Sequence, residues 1–281
     1  MSRFSNSIKH LIAKLTRRYY FEDYVRVYPD GIRFNKHGRK FQAGKIDINN
    51  FLNHSKFYRF ASQFVSDKCV ADIGCGSGYG CEMLSKEGAL KVCGSDISKK
   101  AIAFARSRYS RFAEFVIKGM TNLDCYSDDT FDLAISSEVL EHIKEYGMEK
   151  MAIEELKRIT KQGGLLIIGT PNSEMLGDHG FSFDEINGLF NEYFSEFCIF
   201  ENALVPFGDK KHLWEKRLSE GNVGIIISEI IDLSETCLPD DFQPELKKGI
   251  EAGRFELSKF TIDTTLLHNT HSWIIMAVNN K

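Results

Sequence analysis

Long apolar runs, paired cysteines and an excess of either charge are all missing from this chain of 281 residues. No uninterrupted apolar stretch approaches the roughly 18 residues that a bilayer-spanning helix needs. The N-terminus shows neither the apolar h-region nor the small-residue cleavage site of a secretory signal. The seven cysteines (Cys69, Cys75, Cys81, Cys93, Cys125, Cys198 and Cys237) include no C-x-x-C pair. Most sit in apolar, strand-like or glycine-rich contexts, which reads as reduced thiols in a cytosolic protein. A formal net charge of −3 and a pI near 6.3 argue against wholesale binding to a phosphate backbone, though not against a local basic patch. There is no repeat and no low-complexity segment.

What remains is ordinary globular composition, 43% hydrophobic and 27% charged. Between Cys69 and Pro171, short apolar, β-branched runs alternate with helical patterns. The strand-like runs are "CVADIG", "KVCGSDI", "AEFVIKG", "FDLAIS" and "GLLIIGTP", and "SWIIMAV" (Ser272 to Val278) reads as a last strand. Between them, "KKAIAFARSRYSR" and "MEKMAIEELKRITK" carry helical periodicity. In the second, Met148, Met151, Ala152, Leu156 and Ile159 form one stripe. Strand alternating with helix predicts βαβ units on a mainly parallel sheet, with ligands bound beyond the carboxyl ends of the strands.

This frame divides the chain into four parts. Residues 1–52 form an N-terminal arm, with an amphipathic helix followed by a hairpin turning at Pro29-Asp30-Gly31. Residues 53–205 form the core. Residues 206–270 are an insertion too long for a plain connection, in which "PELKKGIEAG" predicts a helix. Residues 271–281 return the last core strand.

The first strand runs into "ADIGCGSGYG", with glycines at 74, 76, 78 and 80. Such a turn lets a ligand approach the backbone closely. The dinucleotide fingerprint G-x-G-x-x-G fails, since Tyr79 or Cys81 occupies its last position, and there is no Walker A pattern. Asp72, two residues before the first glycine, would repel a pyrophosphate and suit a cationic amino group. Asp96, ending "VCGSDI" twenty residues after Gly76, can accept both ribose hydroxyls of a nucleoside. A cation acceptor, a backbone cradle and a ribose clamp describe S-adenosylmethionine better than NAD.

In order and spacing, "VADIGCGSGYG", "VCGSDIS", "FDLAISSEVLEHI" and "LKRITKQGGLLIIGTPN" resemble the successive motifs of class I S-adenosylmethionine-dependent methyltransferases, over roughly residues 54–205. A looser likeness, in "HSKFYRFASQFV" and "TPNSEMLGDHGFSFDEINGLFNEYF", is to methyltransferases of bacterial glycan and lipopolysaccharide assembly. The resemblance implies a Rossmann-like, doubly wound fold with a seven-stranded, mainly parallel sheet. It implies that Asp72, Gly74, Gly76 and Gly78 surround the methionine moiety and that Asp96 and Ile97 hold the ribose and adenine edge. Arg59 would reach the methionine carboxylate, and Ser137 would border the cofactor at the end of the fourth strand. Met120 stands where such enzymes often place an acid, so packing on the adenine replaces a polar contact there.

Glu138, Glu141 and His142 stand at i, i+3 and i+4 in "SSEVLEHI", which on a helix is one face. Three readings stay open: a polar rim, a general base at His142, or a divalent-cation site. The last needs a further ligand, and His179 in "GDHGFSF" supplies it. In this the chain resembles the E-x-x-E-H plus D-H-x-F pattern of small-RNA 3′-terminal 2′-O-methyltransferases, and ubiquinone-pathway O-methyltransferases share an E-x-x-E-H. His142 and His179 are therefore the expected catalytic residues, and Glu138, Glu141, His142 and His179 the expected ligands of a divalent cation.

In the arm, Ile8, Leu11, Ile12, Leu15 and Tyr19 line one helical face, with Arg3, Lys9, Lys14, Arg17 and Arg18 around it and no acid before Glu22. The preferred reading packs that stripe over the active site; the other lays it on an anionic membrane surface. The expectation is a cytoplasmic, S-adenosylmethionine-dependent O-methyltransferase acting on a sugar, glycan or other small-molecule hydroxyl. An RNA 2′-O-methyltransferase and a non-catalytic cofactor-binding regulator are the alternatives.

Overall fold

The computed structural model describes residues 11–12, 14–16, 25–27, 32–34, 40–42, 54, 57–176, 179–203 and 270–281. Residues 206–269 of the predicted insertion, its helix and Cys237 lie outside them. The described residues divide into two units, 1–161 and 162–281.

The first unit opens with a small antiparallel sheet of β1 (Val25–Val27), β2 (Ile32–Phe34) and β3 (Lys40–Gln42). Val25 pairs with Phe34 and Val27 with Ile32, as the expected hairpin requires. β3 extends the hairpin through the pairing of Ile32 with Gln42 and was not anticipated, because "KFQ" offers a single apolar residue.

The main sheet of this unit holds β4 (Cys69–Ile73), β5 (Lys91–Asp96), β6 (Glu114–Ile117) and β7 (Phe131–Ser137), in the order β6-β5-β4-β7 and all parallel. The helices that return the chain are α1 (Tyr79–Lys86), α2 (Lys99–Tyr109), α3 (Leu140–Lys144) and α4 (Glu149–Ile159). Central parallel strands are covered on both faces and read as continuous apolar runs. Accordingly Val70, Ala71, Ile73, Leu133, Ala134 and Ile135 are all fully buried. The order reverses at β4, since its neighbours β5 and β7 lead in opposite directions. The crevice beyond the carboxyl ends of β4 and β5 is therefore where this fold binds ligands.

Local chemistry fixes the helices. The Ser98 hydroxyl caps α2 by accepting the Ala101 N–H at 3.1 Å. The predicted stripe of α4 is buried through Ala152, Leu156 and Ile159, with Met148 beneath its start. Arg158, at the end of α4, donates to the carbonyls of Leu123 (3.0 Å) and Tyr126 (2.9 Å) and to Asp128 (2.8 Å). Glu155, pinned by the same guanidinium, accepts the Leu123 N–H at 2.6 Å. One partly buried ion pair thus ties down the chain between β6 and β7.

The second unit is antiparallel. β10 (Thr270–Val278) pairs on one side with β8 (Thr160–Pro171) and on the other with β9 (Phe197–Ala203). Two helices, α5 (Ser173–Leu176) and α6 (Phe183–Tyr193), join β8 to β9. A capping box between Ser182 and Glu185 starts α6. Trp273 is fully buried and donates its indole N–H to the Phe181 carbonyl at 2.9 Å. Four parallel strands in one unit and three in the other, with helices between them, make the Rossmann-like α/β class that the motifs implied.

The arm departs from its preferred reading. Residues 11–12 and 14–16 are helical, but Leu11, Ile12 and Leu15 are 58%, 56% and 77% exposed. These three side chains do not pack over the active site. No helix among the described residues is long and apolar enough to cross a membrane.

Candidate active site

Every strand-end residue singled out from the sequence, His179 apart, falls in the first unit at or just beyond the carboxyl ends of β4, β5, β6 and β7. The turn after β4 is shaped by packing. Gly74 has φ +86, and a Cβ there would lie 2.2 Å from Val139 Cγ2, so the residue behind Glu138 presses directly on the turn. Gly76, at φ +53, is the opposite case: a Cβ there would meet nothing within 4 Å. It is the open face of the turn, where a ligand can reach backbone. Gly78 forms the N-terminal boundary of α1.

Asp96 fastens that open face. Its Oδ2 accepts the Gly76 N–H at 2.9 Å and its Oδ1 accepts the Ser98 N–H at 2.7 Å. The side chain is only half-buried. Ile97 follows, also half-buried. Three further hydroxyls at the ends of these strands, those of Ser77, Ser95 and Ser136, are buried and find no hydrogen-bond partner among the described residues. Such groups cost about 1–3 kcal/mol each, and they suit a polar ligand. Sequence reasoning missed them, because a lone serine carries no signal of its burial.

Asp72 differs from expectation. It is fully buried, and a direct grip on an ammonium group is closed in this conformation. The Tyr58 hydroxyl lies 3.3 and 3.2 Å from its two oxygens, and the Cys81 thiol donates to Oδ2 at 3.2 Å. Desolvation lifts the Asp72 carboxyl from its ordinary 3.8 to about 7, against the lowering effect of the Cys81 and Tyr58 hydrogen bonds. Tyr58 itself, buried and edge-on to Tyr79, is pushed further up by burial and then by Asp72. Its ring also occupies the space a Cβ on Gly80 would need, at 2.1 Å. Tyr58 is thus the lock on Asp72 and on the start of α1. Its separation of 14 residues from Asp72 left no pattern to read.

Arg59, the next residue, is exposed on the helical stretch 57–62. Met120 is 1% exposed just beyond β6, so it is a packed side chain rather than a polar contact. Ser137 ends β7 and is buried.

The trio at β7 is not one helical face. Glu138 has φ +57, a left-handed conformation unusual for a residue with a Cβ. α3 begins only at Leu140, so Glu138 stands outside it. Backbone strain of this kind concentrates at functional sites, where surrounding structure enforces it; here Val139, packed on Gly74, does so. Glu141 and His142 are both on α3, and His142 Nε2 lies 3.7 Å from Glu141 Oε1. The glutamate side chain is 1% exposed and the imidazole 27%. A buried carboxylate therefore lies beside a reachable imidazole, at a separation longer than a hydrogen bond. His179 belongs to the second unit and is exposed.

Comparison with known proteins agrees with this geometry. Residues 71–168 match the family model described as "Methyltransferase domain". A mitochondrial ubiquinone biosynthesis O-methyltransferase of Dictyostelium discoideum is 35% identical over 121 residues, covering 38% of this chain and 36% of that one. An Arabidopsis thaliana tRNA (carboxymethyluridine(34)-5-O)-methyltransferase is 31% identical over 126 residues, 45% of this chain and 30% of its own. The chain spans less than half the length of the curated relatives it matches. Among solved structures, a Listeria monocytogenes chain assigned to the S-adenosylmethionine-dependent methyltransferases shares the fold, with TM-score 0.51 at 14% identity, over 80% of this chain and 97% of that one. The glycine turn and the strand-end acids Asp72 and Asp96 lie inside that matched stretch, so residues 71–168 carry a methyltransferase domain.

Proposed function

We propose that the protein transfers the methyl group of S-adenosylmethionine to a hydroxyl oxygen of a sugar, glycan or other small molecule. The observation that carries the reading is the pair of fixtures at one strand-end crevice. An open glycine backbone at Gly76 is tied to the Asp96 carboxylate at 2.9 Å, and on the following α3 an imidazole lies beside a buried carboxylate.

The cofactor supplies a methyl group already activated by a sulfonium. The residues position it. Asp96 accepts the ribose hydroxyls, Ile97 and Met120 provide the apolar edge for the adenine, and the backbone at Gly76 and the N-terminus of α1 receive the methionine end, whose carboxylate Arg59 is free of burial to meet. Asp72 acts from beneath the turn: its charge attracts the ammonium while Tyr58 and Cys81 hold it in place. Alignment of donor and acceptor supplies much of the rate, with about 7–11 kcal/mol accessible from positioning alone.

A hydroxyl, unlike an amine or thiol, gains from removal of its proton. His142 accepts that proton as the oxygen attacks, and Glu141 stabilises the imidazolium at 3.7 Å. His179 is proposed to join the acceptor side, and a divalent cation held by Glu138, Glu141, His142 and His179 is the alternative way to polarise the same hydroxyl. Both curated relatives described above carry an oxygen-methylation name, which supports an oxygen acceptor.

Transfer of a tritiated methyl group to separate glycan, lipid and RNA pools tests the reading. Label in the glycan or small-molecule pool, lost in His142→Ala while cofactor affinity is kept, is the expected result. Label in RNA alone, or none in any pool, overturns it.

A further inference from the structure

The exposed large apolar side chains among the described residues are Leu11, Ile12, Leu15, Leu90 and Ile117. Three of the five stand within one helical turn and a half of the N-terminal arm, while the other two are isolated. At 100° per residue, Leu11, Leu15 and Ile12 fall within a 100° arc. Thr16 donates its hydroxyl to the Ile12 carbonyl at 2.8 Å, which turns its polarity back into the helix. Lys14 points elsewhere: its Nζ lies 3.4 Å from where a Cβ on Gly147 would be, so the side chain runs along the loop that follows α3. Lys14 thus runs beside Gly147, while Leu11, Ile12 and Leu15 are exposed.

The charge around the arc names what covers it. Arg3, Lys9, Lys14, Arg17 and Arg18 precede the first acid, Glu22, in a chain whose net charge is −3. In sequence, Ile8 and Tyr19 repeat the spacing of the apolar arc on either side. An apolar stripe bordered by cations and free of anions complements a surface with negative headgroups above hydrocarbon. A protein partner of ordinary composition would call for some acids in return.

We propose that the N-terminal helix docks the protein on the surface of an anionic lipid bilayer, with Leu11, Ile12 and Leu15 entering the headgroup–acyl boundary. The docking is independent of the transfer chemistry. Because Lys14 runs beside Gly147, the bilayer contact would lie on the side of the unit reached by the loop after α3, the helix that carries His142.

Co-sedimentation of the full chain with vesicles of phosphatidylcholine, alone or mixed with phosphatidylserine, tests this. The expected result is pelleting with the mixed vesicles only, weakening as salt is raised. Leu15→Glu should abolish it. Arg17→Gln with Arg18→Gln should lower the partition coefficient about 25-fold, at roughly fivefold per basic residue. Both variants should bind S-adenosylhomocysteine as the wild type does, which establishes that they are folded. Equal pelleting of wild type and Leu15→Glu, or none with phosphatidylserine vesicles, overturns the proposal. Self-association in sedimentation velocity that Leu15→Glu removes, without vesicle binding, would assign the face to a second copy of the chain and overturn it equally.

Discussion

Replacing Asp72 by asparagine should make the protein more stable at neutral and alkaline pH. The side chain is fully buried, and burial raises its carboxyl from 3.8 to about 7. A carboxyl whose folded value is raised contributes stability that is fully present below its unfolded value, near 3.8, and is lost as the pH rises through about 7. Each tenfold difference in proton affinity is worth about 1.4 kcal/mol, so at pH 8 the ionised side chain carries a penalty of about 4 kcal/mol. Asparagine keeps the shape and an oxygen for the Tyr58 hydroxyl without the charge. At about 2–4 °C per kcal/mol for a domain of this size, Asp72→Asn should raise Tm by about 10 °C at pH 8 and by about 4 °C at pH 5, where the penalty is about 2 kcal/mol. Other acids pull the opposite way: the Lys161 hydrogen bond and the Cys69 N–H hold Asp132 below the usual carboxylate range despite partial burial. The quantity to read is therefore the wild-type minus Asp72→Asn difference in Tm, by circular dichroism from pH 5 to 9. A variant less stable than wild type at pH 8, or a difference that does not change with pH, would refute the reasoning.

Other outcomes follow from the same site. Cofactor binding near pH 7 should release protons, because a positive ligand draws the Asp72 carboxyl back down; calorimetric heats in phosphate and Tris should then differ for wild type and coincide for Asp72→Asn. Tyr58→Phe removes a hydrogen bond to a charged acceptor, worth about 1.5–3 kcal/mol, and should weaken S-adenosylhomocysteine binding about 10-fold or more in calorimetry. His142→Ala and Glu141→Gln should lower kcat about 10²- to 10⁴-fold with cofactor Kd unchanged. If a metal polarises the acceptor, EDTA will abolish turnover and Mn²⁺ or Mg²⁺ restore it, whereas the base reading predicts no response to EDTA.

The parts of this site that sequence displayed are those written in local pattern. The core strands announced themselves because parallel strands buried on both faces need unbroken apolar, β-branched runs, as in β4 and β7. Asp96 was legible because its distance from the glycine turn is set by one βαβ unit. Glu138 was misread: helical spacing presumes helical backbone, and contact between Val139 and Gly74 enforces the left-handed turn instead. The enclosure of Asp72 was invisible for a similar reason. It depends on Tyr58, which reaches the carboxylate from an upstream helix and leaves no periodic trace. The exposed arc of the arm failed differently, since an amphipathic stripe says only that one face leaves water and not what it meets.

The central claim is that a nucleoside ribose rests on Asp96 above the open backbone of Gly76. Isothermal titration of S-adenosylhomocysteine into wild type and Asp96→Asn measures this directly. Saturable binding that weakens at least about 10-fold in the variant, for lost hydrogen bonds to a charged acceptor, is the predicted result. No heat with wild type, or equal affinity in the two proteins, would contradict it.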